Sequence, residues 1–238
     1  MNSADKLREK GRAVALLSGG MDSCVAAAVA ARNNELFAMH ASYGQRTRER
    51  EKRSFREVAK RIGARDTLEV DLGVLAEIGG SSLVDESRPV PEGDLATGGI
   101  PSTYVPFRNG VLLALAVAWA ESLEAGSVYI GAVAPDAPDG YPDTSSVFFE
   151  AFEHAAAIGT RPETKIKIVA PLVDMTKAEV VRKGLDMGAP LDATWSCYRN
   201  GDVACGTCLS CMGRIKAFEE AGVEDSVRYE SRLTEYRR

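Results

Sequence analysis

Histidine is scarce in this chain. His40 and His154 are the only two in 238 residues; neither sits in a motif, and no chemistry is assigned to either. A basic excess is also lacking. Lys and Arg number 29 against 34 Asp and Glu, a formal net charge of −5, which removes any general attraction to nucleic acid or anionic membrane. The basic residues Arg228, Arg232, Arg237 and Arg238 near the end read as a solvated terminus. No apolar run approaches the roughly 20 residues of a membrane span. The opening MNSADKLREKGR is polar and charged, unlike a secretory leader, so the expected location is the cytoplasm. Internal repeats, low-complexity tracts and long linkers are missing. The length then fits one large α/β domain, or one domain with a small appendage.

What is present is an alternation of short apolar runs with longer helical patterns. Strands are expected at residues 13–17, 35–42, 67–72, 127–133 and 165–170, and helices at 22–33, 46–62, 105–123, 146–158, 176–187 and 208–220. Thr176 and Glu179 form a capping-box pattern. The Gly/Ser/Pro-rich stretch 79–102 is too long for an ordinary connection and reads as a functional or mobile loop. Such alternation argues for a parallel sheet with helices on both faces. Ligands in such folds sit beyond the carboxyl ends of the strands.

The first strand runs into Leu17-Ser18-Gly19-Gly20-Met21-Asp22-Ser23 and then a helix. Glycines let backbone approach a phosphate closely and allow positive φ. The helix start behind them offers unpaired N–H groups and a positive dipole end. Ser18 and Ser23 can donate from their hydroxyls, while Asp22 is suited to hold Mg²⁺ or to cap the helix. The Gly-Lys-Ser/Thr ending of a Walker A loop and the third glycine of a dinucleotide fingerprint are both missing. The loop resembles that of the PP-loop (N-type) ATP pyrophosphatases. That resemblance implies ATP as co-substrate, a loop that holds the departing pyrophosphate, and AMP transfer to a carboxylate, amide or carbonyl oxygen.

Four of the five cysteines fall in one stretch, Cys197, Cys205, Cys208 and Cys211, spaced C-x7-C-x2-C-x2-C. Four thiolates with no open position describe a structural Zn²⁺ site, with an iron–sulfur cluster or a redox pair as alternatives. Residues 1–190 would then form the ATP-binding domain, and 191–238 a zinc-binding segment packed on it. Cys24, on the apolar first helix, reads as a buried small side chain.

Loop and cysteines together resemble the QueC family of 7-cyano-7-deazaguanine synthases. Further segments match in order: Tyr43-Gly44-Gln45-Arg46, the run 71–83 with Gly79-Gly80-Ser81, Tyr104-Val105-Pro106-Phe107-Arg108-Asn109, Gly140-Tyr141-Pro142-Asp143, and the flanks of the cysteine cluster. The likeness spans about residues 13–220. It implies a Rossmann-like fold of the adenine nucleotide alpha hydrolase type, a homodimer, and a two-stage reaction. ATP adenylates 7-carboxy-7-deazaguanine and ammonia displaces AMP; a second ATP adenylates the amide, and loss of AMP leaves the nitrile. Arg46 and Arg108 are then candidates for phosphate or carboxylate contacts, with a structural salt bridge as the alternative for each. Asn109 and Asp143 are candidates to read the guanine-like edge, or to serve as cap and turn residues. Tyr141 would stack on the base or simply pack. Lys177, at a helix start, reads as solvated rather than phosphate-bound.

The sequence departs from the family pattern at several positions. Thr47 stands where histidine is usual, Thr144 and Ser145 stand for cysteine and arginine, and Phe107 and Gly110 replace a small residue and a leucine. These changes leave open a QueC-like ligase that couples the activated carboxylate to another amine, such as a protein N-terminus, as in QueC-like members of antiviral defence operons. A tRNA-modifying PP-loop enzyme is a further alternative, although the acidic chain offers no nucleic-acid-binding face.

Overall fold

The computed structural model describes residues 11–85, 87–88, 99–133 and 140–231. Five parallel strands form one sheet in the order β3-β2-β1-β4-β5. They are β1 (Gly11–Leu16), β2 (Asn34–Ser42), β3 (Asp66–Asp71), β4 (Ser127–Ile130) and β5 (Lys167–Val169). Seven α-helices accompany them among the described residues: α1 (Met21–Asn33), α2 (Arg48–Ile62), α3 (Val74–Ile78), α4 (Arg108–Ser122), α5 (Ser146–Gly159), α6 (Lys177–Asp186) and α7 (Leu209–Ala221).

Side chains alternate across β1, so its residues feed two cores. Val14 and Leu16 pack with Leu113 and Val117 of α4 and Phe149 of α5. Ala15 and Leu17 face the other way, onto Cys24 and Ala27 of α1 and Phe55 and Val58 of α2. Helix α1 is alanine-rich and buried on nearly every side because α6 and α7 cover it as well, through Val180, Val181 and Phe218 against Met21 and Val25. The expected parallel sheet with helices on both faces is therefore what forms. No described helix is long and apolar enough to cross a membrane.

Element boundaries differ from expectation where local backbone intervenes. Helix α4 begins at Arg108 rather than 105, because Pro106 disfavours helix for Val105 and Phe107 takes a left-handed φ of 52°. Phe107 and Gly110 compensate one another: a Cβ on Gly110 would lie 2.4 Å from the Phe107 ring. Strand β4 stops at Ile130, and the short α3 was not anticipated. Of the expected loop, residues 86 and 89–98 lie outside the described residues, as do 134–139, which precede the Gly-Tyr-Pro-Asp segment, and the tail arginines Arg232, Arg237 and Arg238.

Strand order reverses at β1. The chain goes from β1 outward through β2 to β3, then returns to the other side for β4 and β5. Such a switch point opens a crevice at the carboxyl ends of the two central strands.

Candidate active site

A cavity of about 350 Å³ fills that crevice, a size that suits a small-molecule site. Leu16 and Leu17 at the end of β1, Met39 and Ala41 of β2, and Ile130 and Gly131 at the end of β4 form its floor. The glycine loop forms one wall. Its two serines wrap it into a ring: the Ser18 N–H donates to Ser23 Oγ (3.2 Å), Ser23 Oγ donates to the Gly20 carbonyl (2.9 Å), and the Gly20 N–H donates to Ser18 Oγ (3.2 Å). Gly20 is the N-cap of α1 with no side-chain cap, so the first N–H groups of the helix remain available to an anion.

Two glycines are demanded by close approach. Gly19 has φ +91°, and a Cβ there would lie 2.6 Å from the Glu51 carbonyl oxygen and 2.9 Å from the Phe55 nitrogen of α2. Gly131, which sequence reasoning passed over, would place a Cβ 2.6 Å from both the nitrogen and Cα of Ser23. The strand end thus presses directly on the loop. The only signal in the sequence is a lone glycine inside the expected strand 127–133.

Asp22 does not cap α1. Its Oδ2 accepts a 2.6 Å hydrogen bond from Lys177 Nζ, while Oδ1 is buried without a protein partner. Lys177 is therefore paired at the loop and not simply solvated. An orphaned carboxylate oxygen beside a phosphate-type loop fits a Mg²⁺ ligand in chemistry and placement.

Arg108 lines the cavity, half-buried. It donates to Tyr43 Oη (3.0 Å) and lies over the Tyr43 ring at 5.3 Å. Burial works to lower its pKa, but Tyr43 and Asp143 outweigh burial and the pKa is raised. It forms no salt bridge with any described residue. Arg46 also lines the cavity, but its guanidinium donates to the main-chain carbonyls of Asp85 (2.7 Å) and Arg88 (2.6 Å). Neither arginine adopts the alternative salt-bridge role among the described residues.

Asn109 and Asp143 are bound to one another. The Asn109 N–H donates to Asp143 Oδ2 (2.9 Å), and the Asn109 side-chain amide donates to the Asp143 carbonyl (3.1 Å). Asp143 thereby caps the start of α4, and only Asn109 lines the cavity. Tyr141 faces the cavity, hydrogen-bonded to Thr103 (2.6 Å) and stacked on Tyr104 with ring centroids 5.8 Å apart. The altered Thr144 and Ser145 serve locally: Thr144 Oγ1 donates to the Tyr141 carbonyl, and Ser145 caps α5. His40 is buried and stacked on Phe55, and burial lowers its pKa. Burial pushes the Cys24 thiol up to about 12, as suits an inert core residue.

The sulfur atoms of Cys197, Cys205, Cys208 and Cys211 all lie within 4.8 Å of one another. Cys197–Cys205 and Cys205–Cys211 are 3.5 and 3.9 Å apart. A tetrahedral Zn²⁺ with bonds of about 2.3 Å requires sulfurs about 3.8 Å apart, so the four thiols fit that ion. Backbone N–H groups already point at them, from Arg199 and Cys205 to Cys197, and from Thr207 and Cys208 to Cys205. Such donors stabilise thiolate charge. The segment reaches the loop directly, because the Trp195 N–H donates to the Gly19 carbonyl (2.9 Å). A buried ion pair, Arg214–Asp225, ties it to α7. Arg214 also donates to Thr194 and the Leu191 carbonyl, and Asp225 accepts from Tyr229.

The chain is similar to known proteins over almost its whole length. A family model described as "Queuosine biosynthesis protein QueC" matches residues 12–222. The 7-cyano-7-deazaguanine synthase of Chlorobaculum tepidum is 51% identical over 222 residues, covering 93% of this chain and 97% of the relative. The synthase of Acidobacterium capsulatum is 51% identical over 225 residues, with 93% and 97% covered. That of Chlorobaculum parvum is 50% identical over 222 residues with the same coverage. With its glycine loop at the switch point and its four clustered cysteines, this chain belongs to the QueC family.

Proposed function

We propose that this chain is an ATP-dependent ligase that converts 7-carboxy-7-deazaguanine and ammonia to 7-cyano-7-deazaguanine. The observation that carries the reading is identity of about 50% to synthases across almost their full length. The glycine loop of this chain lines a cavity of small-molecule size.

A carboxylate does not expel oxide, and each stage of the reaction turns an oxygen into part of a leaving AMP. Ser18–Ser23, with the open N–H groups of α1, hold the phosphates and then the departing pyrophosphate. Asp22, whose Oδ1 is buried without a protein partner, would hold Mg²⁺, and that ion would supply charge neutralisation on the phosphates. Arg108, a cavity cation without a described carboxylate partner, receives the substrate carboxylate and steadies the acyl phosphate. Arg46 acts less directly, from the cavity wall, by fastening the main-chain carbonyls of Asp85 and Arg88. Tyr141, backed by Tyr104, offers a flat wall for the deazapurine ring. Asn109 and Asp143 act through the start of α4 that carries Arg108. Cys197, Cys205, Cys208 and Cys211 would hold Zn²⁺ in a structural role, bracing 191–231 against the loop. A homodimer is part of the proposal, with exposed Val147 and Ile158 of α5 available for the contact; sedimentation velocity checks it.

The test is incubation with 7-carboxy-7-deazaguanine, ATP, Mg²⁺ and ammonium, with products read by mass spectrometry. The nitrile and two AMP per nitrile are expected. ADP in place of AMP overturns adenylation. A product that stops at the amide, or a protein adduct formed when a partner is supplied, moves the reading to a ligase for another amine.

A further inference from the structure

We infer that Glu51 is the residue that binds the incoming ammonium and takes its proton. This deepens the proposed function and rests on it.

Only two carboxylates line the cavity among the described residues, Asp22 and Glu51. Asp22 is paired with Lys177. Glu51 has no cationic partner within ion-pair distance among the described residues, and its side chain is instead set in place by neutral donors. Gln45 Nε2 donates to Glu51 Oε2 at 2.9 Å, and Thr47 Oγ1 donates to Oε1. Gln45 is itself fixed, because its Oε1 accepts the Tyr43 N–H at 2.7 Å. Gln45 and Thr47 are buried, at 5% and 6% exposure.

Thr47 is the N-cap residue of α2, yet its hydroxyl makes no capping bond. It is committed to Glu51. Two buried donors thus orient one half-buried carboxylate that forms no ion pair among the described residues, in the cavity that holds the loop. Glu51 also adjoins the loop through its backbone, since its carbonyl oxygen bounds the space beside Gly19. An uncompensated negative charge in a partly dehydrated site selects a small cation. Ammonium has the charge and the donors; ammonia alone has no charge to be recognised.

The chemistry balances. Ammonium passes one proton to the Glu51 carboxylate, and the freed lone pair attacks the acyl carbon of the adenylate. A C–N bond forms, the C–O bond to AMP breaks, and its electron pair leaves with AMP. The second proton lost from nitrogen goes to the leaving phosphate, giving amide and AMP. Glu51 then returns its proton to solvent. Thr47 thereby positions a base four residues further along the chain.

The experiment is steady-state kinetics of Glu51→Gln and Thr47→Ala with ammonium and ATP varied separately, alongside acid-dependent ATP–pyrophosphate exchange without ammonium. Gln keeps the size and can satisfy both neighbours, so α2 is retained. For Glu51→Gln the KM for ammonium should rise roughly 10- to 100-fold, the range of a charge-assisted hydrogen bond. KM for ATP and the exchange rate should stay within about twofold, since adenylation does not use this group. Thr47→Ala should shift the ammonium KM in the same direction by a few-fold. An unchanged ammonium KM in Glu51→Gln, or an exchange rate that falls in step with amide formation, overturns the inference. Wild-type protein that fails to exchange with this acid overturns the proposed function instead.

Discussion

Gly131→Ala tests the claim that the end of β4 sets the position of the nucleotide loop. The added Cβ would meet the Ser23 nitrogen and Cα at 2.6 Å and the Asp22 carbonyl carbon at 2.7 Å. Ordinary contact between carbons needs about 3.5–4.0 Å, so the overlap is close to 1 Å. All three atoms are backbone and cannot rotate aside, so either β4 or the start of α1 must move. Strand β4 is held on both sides by β1 and β5. The loop end therefore yields. Overpacking of this kind costs about 1–3 kcal/mol, which lowers Tm by roughly 2–12 °C for a domain of this size. A displacement near 1 Å in a positioning element can cost on the order of 100-fold in rate. The expected result is a folded protein whose kcat/KM for ATP falls about 10- to 100-fold, read by pyrophosphate release. Gly126→Ala is the control. Its Cβ would meet only the Lys165 carbonyl oxygen, at 3.9 Å, and kinetics and melting should match wild type. Wild-type kcat/KM and Tm in Gly131→Ala would refute the reasoning.

Other perturbations separate the remaining claims. Asp225→Ala strands the buried Arg214 and should cost about 3–5 kcal/mol in urea unfolding; a loss under 1 kcal/mol would show the pair to be dispensable. Cys208→Ser should release the bound zinc, measured by elemental analysis per chain, and raise the KM for ATP through the Trp195–Gly19 bond; full zinc retention contradicts the four-thiolate site. Arg108→Met should abolish acid-dependent ATP–pyrophosphate exchange while nucleotide binding by calorimetry persists, and normal exchange would remove Arg108 from the carboxylate site. His40 is held with its pKa below the ordinary 6.5, so between its folded pKa and about 6.5 the unfolded chain binds more protons. Its contribution to stability is complete above about pH 6.5 and falls as the pH drops, by at most about 1.4 kcal/mol per pH unit. His40→Phe should flatten chemical-denaturation midpoints over that window, and an unchanged slope would assign it to other groups.

Strand, loop and first helix were legible because their signals are local. A short apolar run, two glycines and an alanine-rich segment each constrain backbone within a few residues. The cysteines were legible for the same reason, since C-x2-C places thiols together whatever surrounds them. Side-chain roles set by distant partners were not. Arg46 carries a motif position, but its guanidinium is committed to carbonyls about 40 residues later in the chain. Asn109 and Asp143 read as base-recognition candidates because nothing local shows that they bind each other. Glu51 was hidden for a different reason: it lies in the charged run of α2, Arg48-Glu49-Arg50-Glu51-Lys52-Arg53, whose composition is that of a solvated helix. Only the fold reveals that this position faces the cavity while Glu49 remains exposed.

The cysteine segment, which reads as an appendage in sequence, is continuous with the glycine loop. Trp195 is buried between the two: its N–H holds the Gly19 carbonyl, its indole N–H donates to the Arg199 carbonyl, and Arg50 of α2 covers its ring at 4.3 Å. Cys197 follows two residues later, and Tyr198 lines the cavity. The carbonyl of Gly19 lies within a turn whose φ is +91°, a conformation that the neighbouring α2 and Trp195 together enforce. Releasing the thiolates would free the chain on one side of that bond, leaving α2 alone to shape the loop. A structural metal is therefore expected to affect the apparent affinity for ATP without touching ATP, and the effect should follow the Trp195–Gly19 hydrogen bond and not overall stability. Destabilisation through Asp225→Ala, matched in urea midpoint to Cys208→Ser, should leave the KM for ATP nearer wild type. Equal KM shifts at equal stability would reduce the metal to a general brace.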